Sequence, residues 1–176
     1  MNPFFIEQMA MYSAYHRNGR NRLTHFIGIP LIVFSLYVPL AWVPLYQLDG
    51  FTVSLGMVLF VGVSVFYRWL DRGLGAVMVP VLLVLLLAGE ETAKLGSQTG
   101  WTVFAVTFVG GWIFQLVGHV FEGRRPALTD NLLQALVAPM FLAAETAFAM
   151  GLRHELHEAL EARWPAYAAK VKVAAA

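Results

Sequence analysis

The run WTVFAVTFVGGWIFQLVGHVF, from Trp101 to Phe121, decides the fold class. Its 21 residues carry no Asp, Glu, Lys or Arg. As a helix it rises about 31 Å, enough for a bilayer core of about 30 Å. Outward from it lie three more strongly apolar stretches, Phe26–Leu48, Phe51–Leu70 and Leu74–Gly89. The last is short and holds Pro80. A fifth stretch, Leu132–Met150, contains Pro139 and Glu145. A carboxylate at mid-membrane is expensive, so a partly embedded or re-entrant helix is expected there, with a fifth span as the alternative.

Composition agrees. Of 176 residues, 59% are hydrophobic and 13% charged, against a usual charged share of about 25%. A soluble domain this small has too little interior to hide that apolar surface. The chain therefore reads as an all-α, polytopic membrane bundle of about four transmembrane helices, forming a single integral-membrane domain over residues 1–176. Residues 3–17 form an additional N-terminal amphipathic helix: Asn2 suits the N-cap, Pro3 the first turn, and Asn18-Gly19 the stop. It places Phe5, Met9, Tyr12 and His16 on one stripe. Residues 151–176 form a charged amphipathic tail, read as a surface helix.

Seven basic residues (Arg17, Arg20, Arg22, Arg68, Arg72, Arg124, Arg125) fall in loops on one side of this topology, against Lys94 alone on the other. The positive-inside rule puts the N-terminus in the cytoplasm. The first 16 residues lack the basic n-region and cleavage site of a secretory signal. A bacterial inner membrane and an endoplasmic reticulum fit equally. A net charge of +1 and the absence of a basic arm argue against nucleic acid. Cysteine is absent, which excludes disulfides and thiol chemistry. No Walker A, GxGxxG, GxSxG or HExxH motif occurs, nor the histidine boxes of diiron desaturases.

Histidine is the unusual polar resource. His16, His25 and His119 are far apart in sequence, yet the topology puts all three at the cytoplasmic side. Imidazole suits Fe, Zn, Cu and Ni. Such ligands need orienting partners, and Asn21, four residues before His25, is placed to be one. On the fourth stretch Trp112, Gln115, His119 and Glu122 recur at helical spacing, and Gly111 and Gly118 allow close helix approach. The bland readings stand beside these: hydrogen-bonded interface histidines, Glu122 pairing with Arg124 or Arg125, and Asn21 as a helix cap. His154 and His157 form an HxxH pair in a solvated helix without a nearby third ligand.

Two segments carry a resemblance. The first is YHRNGRNRLTHFIGIP, Tyr15–Pro30; the second is GWIFQLVGHVFEGRRPALTDNL, Gly111–Leu132, followed by Ala138-Pro139 and Glu145. Together they resemble the membrane 2-hydroxy fatty acid dioxygenase family, best known from a fungal endoplasmic-reticulum enzyme of phytosphingosine breakdown. The likeness covers roughly residues 10–150. It implies an Fe(II)-dependent enzyme that uses O₂ to shorten a 2-hydroxy fatty acid by one carbon. It implies His16, His25 and His119 as metal ligands and catalytic residues, with Asn21, Gln115 and Glu122 supporting or completing the site. Arg22, Arg124 and Arg125 are weaker candidates for drawing the substrate carboxylate, since positive-inside topology also explains them. The rival readings are a small-molecule transporter and a non-catalytic membrane protein with structural histidines. Oligomeric state is left open.

Overall fold

The computed structural model describes residues 1–123 and 131–174. The elements are α1 (Pro3–Tyr15), α2 (Gly19–Ala41), β1 (Pro44–Leu48), β2 (Phe51–Ser54), α3 (Leu55–Leu70), α4 (Arg72–Lys94), α5 (Ser97–Glu122), α6 (Leu133–Ala149) and α7 (His154–Ala174). Among the described residues, α2, α4 and α5 are each long and apolar enough to cross a membrane. Their flanks are studded with exposed aliphatics such as Val77, Val84, Val106 and Val120. Such a surface suits lipid, and the protein is an all-α integral-membrane bundle.

Several boundaries differ from the expected ones. Helix α1 ends at Tyr15 rather than 17, because His16 leaves helical geometry (φ −133°, ψ 52°). Asn18, expected to stop α1, instead caps α2, accepting from the Arg20 N–H at 2.9 Å. The first span thus starts at Gly19, well before the apolar run. It also stops earlier, at Ala41, and the apolar residues that follow form an antiparallel β-hairpin in which Leu48 pairs with Phe51. Between them Gly50 takes φ 76°, a conformation that penalises any side chain.

The second stretch, α3, has only 16 residues and rises about 24 Å, short of a full hydrocarbon core. Asp71 alone separates it from α4. The Asp71 carboxylate caps α4 through the Leu74 N–H at 2.9 Å and receives the Arg153 guanidinium at 2.9 and 2.5 Å. Helix α6 and residues 154–168 of α7 are together long and apolar enough to cross a membrane but are bent by 118°. The expected count of about four spans therefore rests on a short α3 or on this bent pair, beside three full-length helices.

Val137, Met140, Phe141 and Ala144 of α6 join Phe5 and Met9 of α1, Tyr67 and Leu70 of α3, and Leu156 and Leu160 of α7 in one core. The Tyr67 hydroxyl donates to the Leu136 carbonyl at 2.8 Å. The broadest helix–helix interface joins α2 to α5, where glycines let the backbones close up. A Cβ on Gly28 would stand 2.6 Å from Gln115 Nε2 and 2.7 Å from the Gly111 carbonyl oxygen. At Gly118 a Cβ would collide with Asn21 and Thr24. This seam brings the first turns of α2 against the last turns of α5.

Candidate metal centre

His16 sits at the C-terminal end of α1, His25 in the second turn of α2, and His119 in the last turn of α5. All three are buried, at 2%, 1% and 6% exposure. One nitrogen from each ring lies within 4.8 Å of the others. Among the described residues this is the group of three or more such side chains able to hold a metal ion.

Local structure fixes how two of the rings point. His16 Nδ1 lies 2.7 Å from the Tyr12 carbonyl, and His25 Nδ1 lies 2.9 Å from the Asn21 carbonyl. A carbonyl can only accept, so each Nδ1 carries the proton and each Nε2 presents a lone pair. The two Nε2 atoms face each other at 3.1 Å. Burial, reinforced by the neighbouring His25, holds His16 well below the usual histidine range and keeps it neutral. Two lone pairs at this distance repel unless a cation lies between them. Nitrogens each about 2.1 Å from one ion stand roughly 3 Å apart when they occupy adjacent positions. The residues fit a metal, and the Nδ1–H to carbonyl bonds are the orienting contacts that metal-bound histidines use. Tyr12 adds a third restraint by stacking on His16 with centroids 3.9 Å apart and planes 7° from parallel.

A cavity opens onto the three histidines, lined also by Tyr12, Trp112, Gln115, Gln134 and aliphatic residues of α2 and α6. Three of its lining residues each hold a buried polar atom without a hydrogen-bond partner: Gln115 Nε2, Gln134 Oε1 and His119 Nδ1. Leaving such an atom unmet costs about 1–3 kcal/mol. All three belong to residues around the cavity, and a polar ligand that reached them would recover that cost.

The supporting residues are placed as follows. Asn21 is fully buried, and its Nδ2 donates to the Tyr15 carbonyl at 3.3 Å and to Glu122 Oε2 at 3.1 Å. Glu122 also accepts the backbone N–H of Arg17 at 3.1 Å and of Asn18 at 2.8 Å. Its carboxylate thus clasps the α1–α2 joint and stands outside the three-histidine group. Arg22 lies apart, ion-paired with Glu145 at 2.5 Å beside a separate depression. Arg124 and Arg125 lie outside the described residues. His157 is half exposed and stacks on Phe148, and neither it nor His154 joins the cluster. Gln134 was not anticipated, since a single glutamine at the start of an apolar run carries no motif.

The family model described as "2-hydroxy-palmitic acid dioxygenase Mpo1-like" matches residues 3–150. The chain belongs to this family. This Mpo1-like chain is also 42% identical over 158 residues to the 2-hydroxy-palmitic acid dioxygenase MPO1 of Saccharomyces cerevisiae, a match covering 88% of the chain and 86% of the yeast protein. No solved structure matches it. The three histidines, Gln115, Glu122 and Gln134 all fall inside the Mpo1-like region, whereas α7 lies beyond it.

Proposed function

We propose that this protein is an Fe(II)-dependent dioxygenase that α-oxidises 2-hydroxy fatty acids, shortening them by one carbon. The observation that carries this reading is the buried His16–His25–His119 cluster, with two lone pairs converging beside a cavity. The name of the yeast relative supports iron over zinc, because zinc has no redox chemistry to offer O₂. Bound there, Fe(II) supplies O₂ activation and polarisation of the substrate's hydroxy-carboxylate end.

The rest is the work of the chain. His16, His25 and His119 hold the metal, and the Tyr12 and Asn21 carbonyls keep two of the rings in the ligating tautomer. Glu122 and Asn21 fix the α1–α2 joint against α5, so that His16 and His119 keep their spacing. Arg22 receives no substrate role, because Glu145 already holds its guanidinium.

The acyl tail is given a second cavity, bounded by α2, α4 and α6. Ile29 and Val33 line both cavities. Around it Pro30, Leu82, Leu142 and Ala143 form an apolar wall, and the half-exposed Val77 and Val81 mark its outer side on the lipid-facing surface. The whole chain acts as one membrane domain, since Arg153, in the turn before α7, binds Asp71, and Glu161 of α7 binds Arg17 at 2.6 Å. The excess of arginines at this end supports a cytoplasmic site and N-terminus.

The test is oxygen consumption by detergent-purified, Fe(II)-loaded protein with 2-hydroxypalmitic acid and with palmitic acid. Uptake with the hydroxy acid alone, and a product one carbon shorter, is the expected result. Iron-loaded protein that consumes oxygen with neither acid overturns the reading.

A further inference from the structure

We infer that Gln134 is the residue that reads the 2-hydroxyl group, its side-chain oxygen accepting the hydroxyl proton within the histidine cavity. The inference rests on the functional reading above and deepens it.

The orientation of three linked amides is fixed by their hydrogen bonds. At the start of α6 the Leu133 N–H donates to Asn131 Oδ1 at 3.0 Å, which fixes which end of the Asn131 amide is oxygen. Asn131 Nδ2 is then the donor to Gln8, at 3.2 Å, so the Gln8 atom it meets is the oxygen. The same Gln8 oxygen takes a second hydrogen bond, from Gln134 Nε2 at 2.8 Å. Each link admits one assignment, because a backbone N–H can only donate. The chain of constraint ends at Gln134 Oε1, an acceptor left over on a residue 1% exposed. Gln134 lines the same cavity as the three histidines.

An unmet buried acceptor selects a ligand with a donor to give. A fatty carboxylate has none at neutral pH, whereas a 2-hydroxy acid has one, on the carbon next to the carboxylate. Gln115, also in the lining, holds an unmet donor at Nε2, packed against Gly28 of α2. The unmet Gln134 oxygen therefore suits the hydroxyl of a 2-hydroxy acid head. A site built around a hydrogen bond to a hydroxyl rejects the analogue that lacks it, because the buried partner is then left alone.

The test is competitive displacement of a fluorescent fatty acid from Fe(II)-loaded, full-length protein kept free of oxygen, so that binding is read without turnover. Competitors are 2-hydroxypalmitic, palmitic and 2-methoxypalmitic acids. Wild type is expected to prefer the hydroxy acid, and Gln134→Met to keep its iron and its affinity for palmitic acid while losing roughly tenfold of that preference. Gln134→Met with an undiminished preference overturns the assignment and leaves the functional reading intact. Should that variant fail to fold, the methoxy acid decides with wild type alone. It has no proton to donate, so binding no tighter than palmitic acid supports the assignment, and binding as tight as the hydroxy acid overturns it. Iron-loaded wild type that binds none of the three overturns the functional reading, and the role of Gln134 with it.

Discussion

The backbone N–H of Asn18 donates to the Glu122 carboxylate at 2.8 Å, across 104 positions of sequence. Asn18 lies two residues after His16, and Glu122 three residues after His119. The bond therefore ties two of the three clustered imidazoles through their backbones, independently of any ion between them. Glu122→Ala is expected to leave the bundle folded and to weaken metal binding about ten- to a hundredfold, the usual cost of losing an orienting contact. Titration of the metal-free protein with Fe(II) or Co(II) measures it. An unchanged affinity would mean that the joint holds without its clasp.

Removing an imidazole has a different signature. His119→Ala is expected to abolish activity and most bound iron, while helicity by circular dichroism stays at the wild-type level. The His119 Nδ1 has no hydrogen-bond partner among the described residues, so none is lost there on substitution. Retained iron and activity would remove His119 from the site.

The acyl cavity can be shortened from α6. Ala143 lines its wall and is small, so Ala143→Phe fills space that a long chain needs. Turnover of 2-hydroxypalmitic acid is expected to fall at least tenfold, with shorter 2-hydroxy acids retained. A product assay across chain lengths checks this, and an unaltered length profile would place the tail elsewhere.

The Asp71–Arg153 pair makes a prediction about pH. Burial alone would raise the Asp71 pKa, but the hydrogen bonds from Arg153 and the Leu74 N–H outweigh it and bring the group below its ordinary 3.8. A carboxylate lowered on folding stabilises the native state above its unfolded pKa, and that stabilisation fades as pH falls through the folded value. Asp71→Asn is expected to cost roughly 1–3 kcal/mol at pH 7, less than a fully buried pair because Arg153 is partly exposed. Thermal melts of the two proteins should differ by a constant amount above about pH 5 and converge below pH 4. A gap independent of pH would assign the loss to packing.

The apolar runs revealed the bundle because every residue of a span meets either lipid or a neighbouring helix, and both reward the same side chains. They misplaced its joints for the same reason. Val43 to Leu48 carries no charge and three aliphatic residues, so the apolar run continued into the hairpin, although Asp49-Gly50 marks a turn. Arg20 and Arg22 hid the first turn of α2, which Asn18 caps and Glu122 secures. The clustering of the three histidines was legible from the order of the apolar stretches, which brings His16, His25 and His119 to the same end of the helices. Gln134 was not. Its free oxygen is defined by Gln8, 126 positions away, and nothing short of the folded chain brings the two together. Glu122 was legible as part of a polar stripe, but its partners are backbone N–H groups, which leave no mark in a sequence.

The second cavity has its outer side at Val77 and Val81, on the flank that faces lipid. A substrate entering there arrives by diffusion within two dimensions and never crosses water as a free molecule. What the enzyme senses is then the mole fraction of 2-hydroxy acid among the surrounding lipids. Adding inert phospholipid to a vesicle or micelle, with protein and substrate totals unchanged, slows the reaction by thinning the substrate across the surface. Kinetic constants for such a protein belong on a surface scale, and a bulk concentration describes only the vessel.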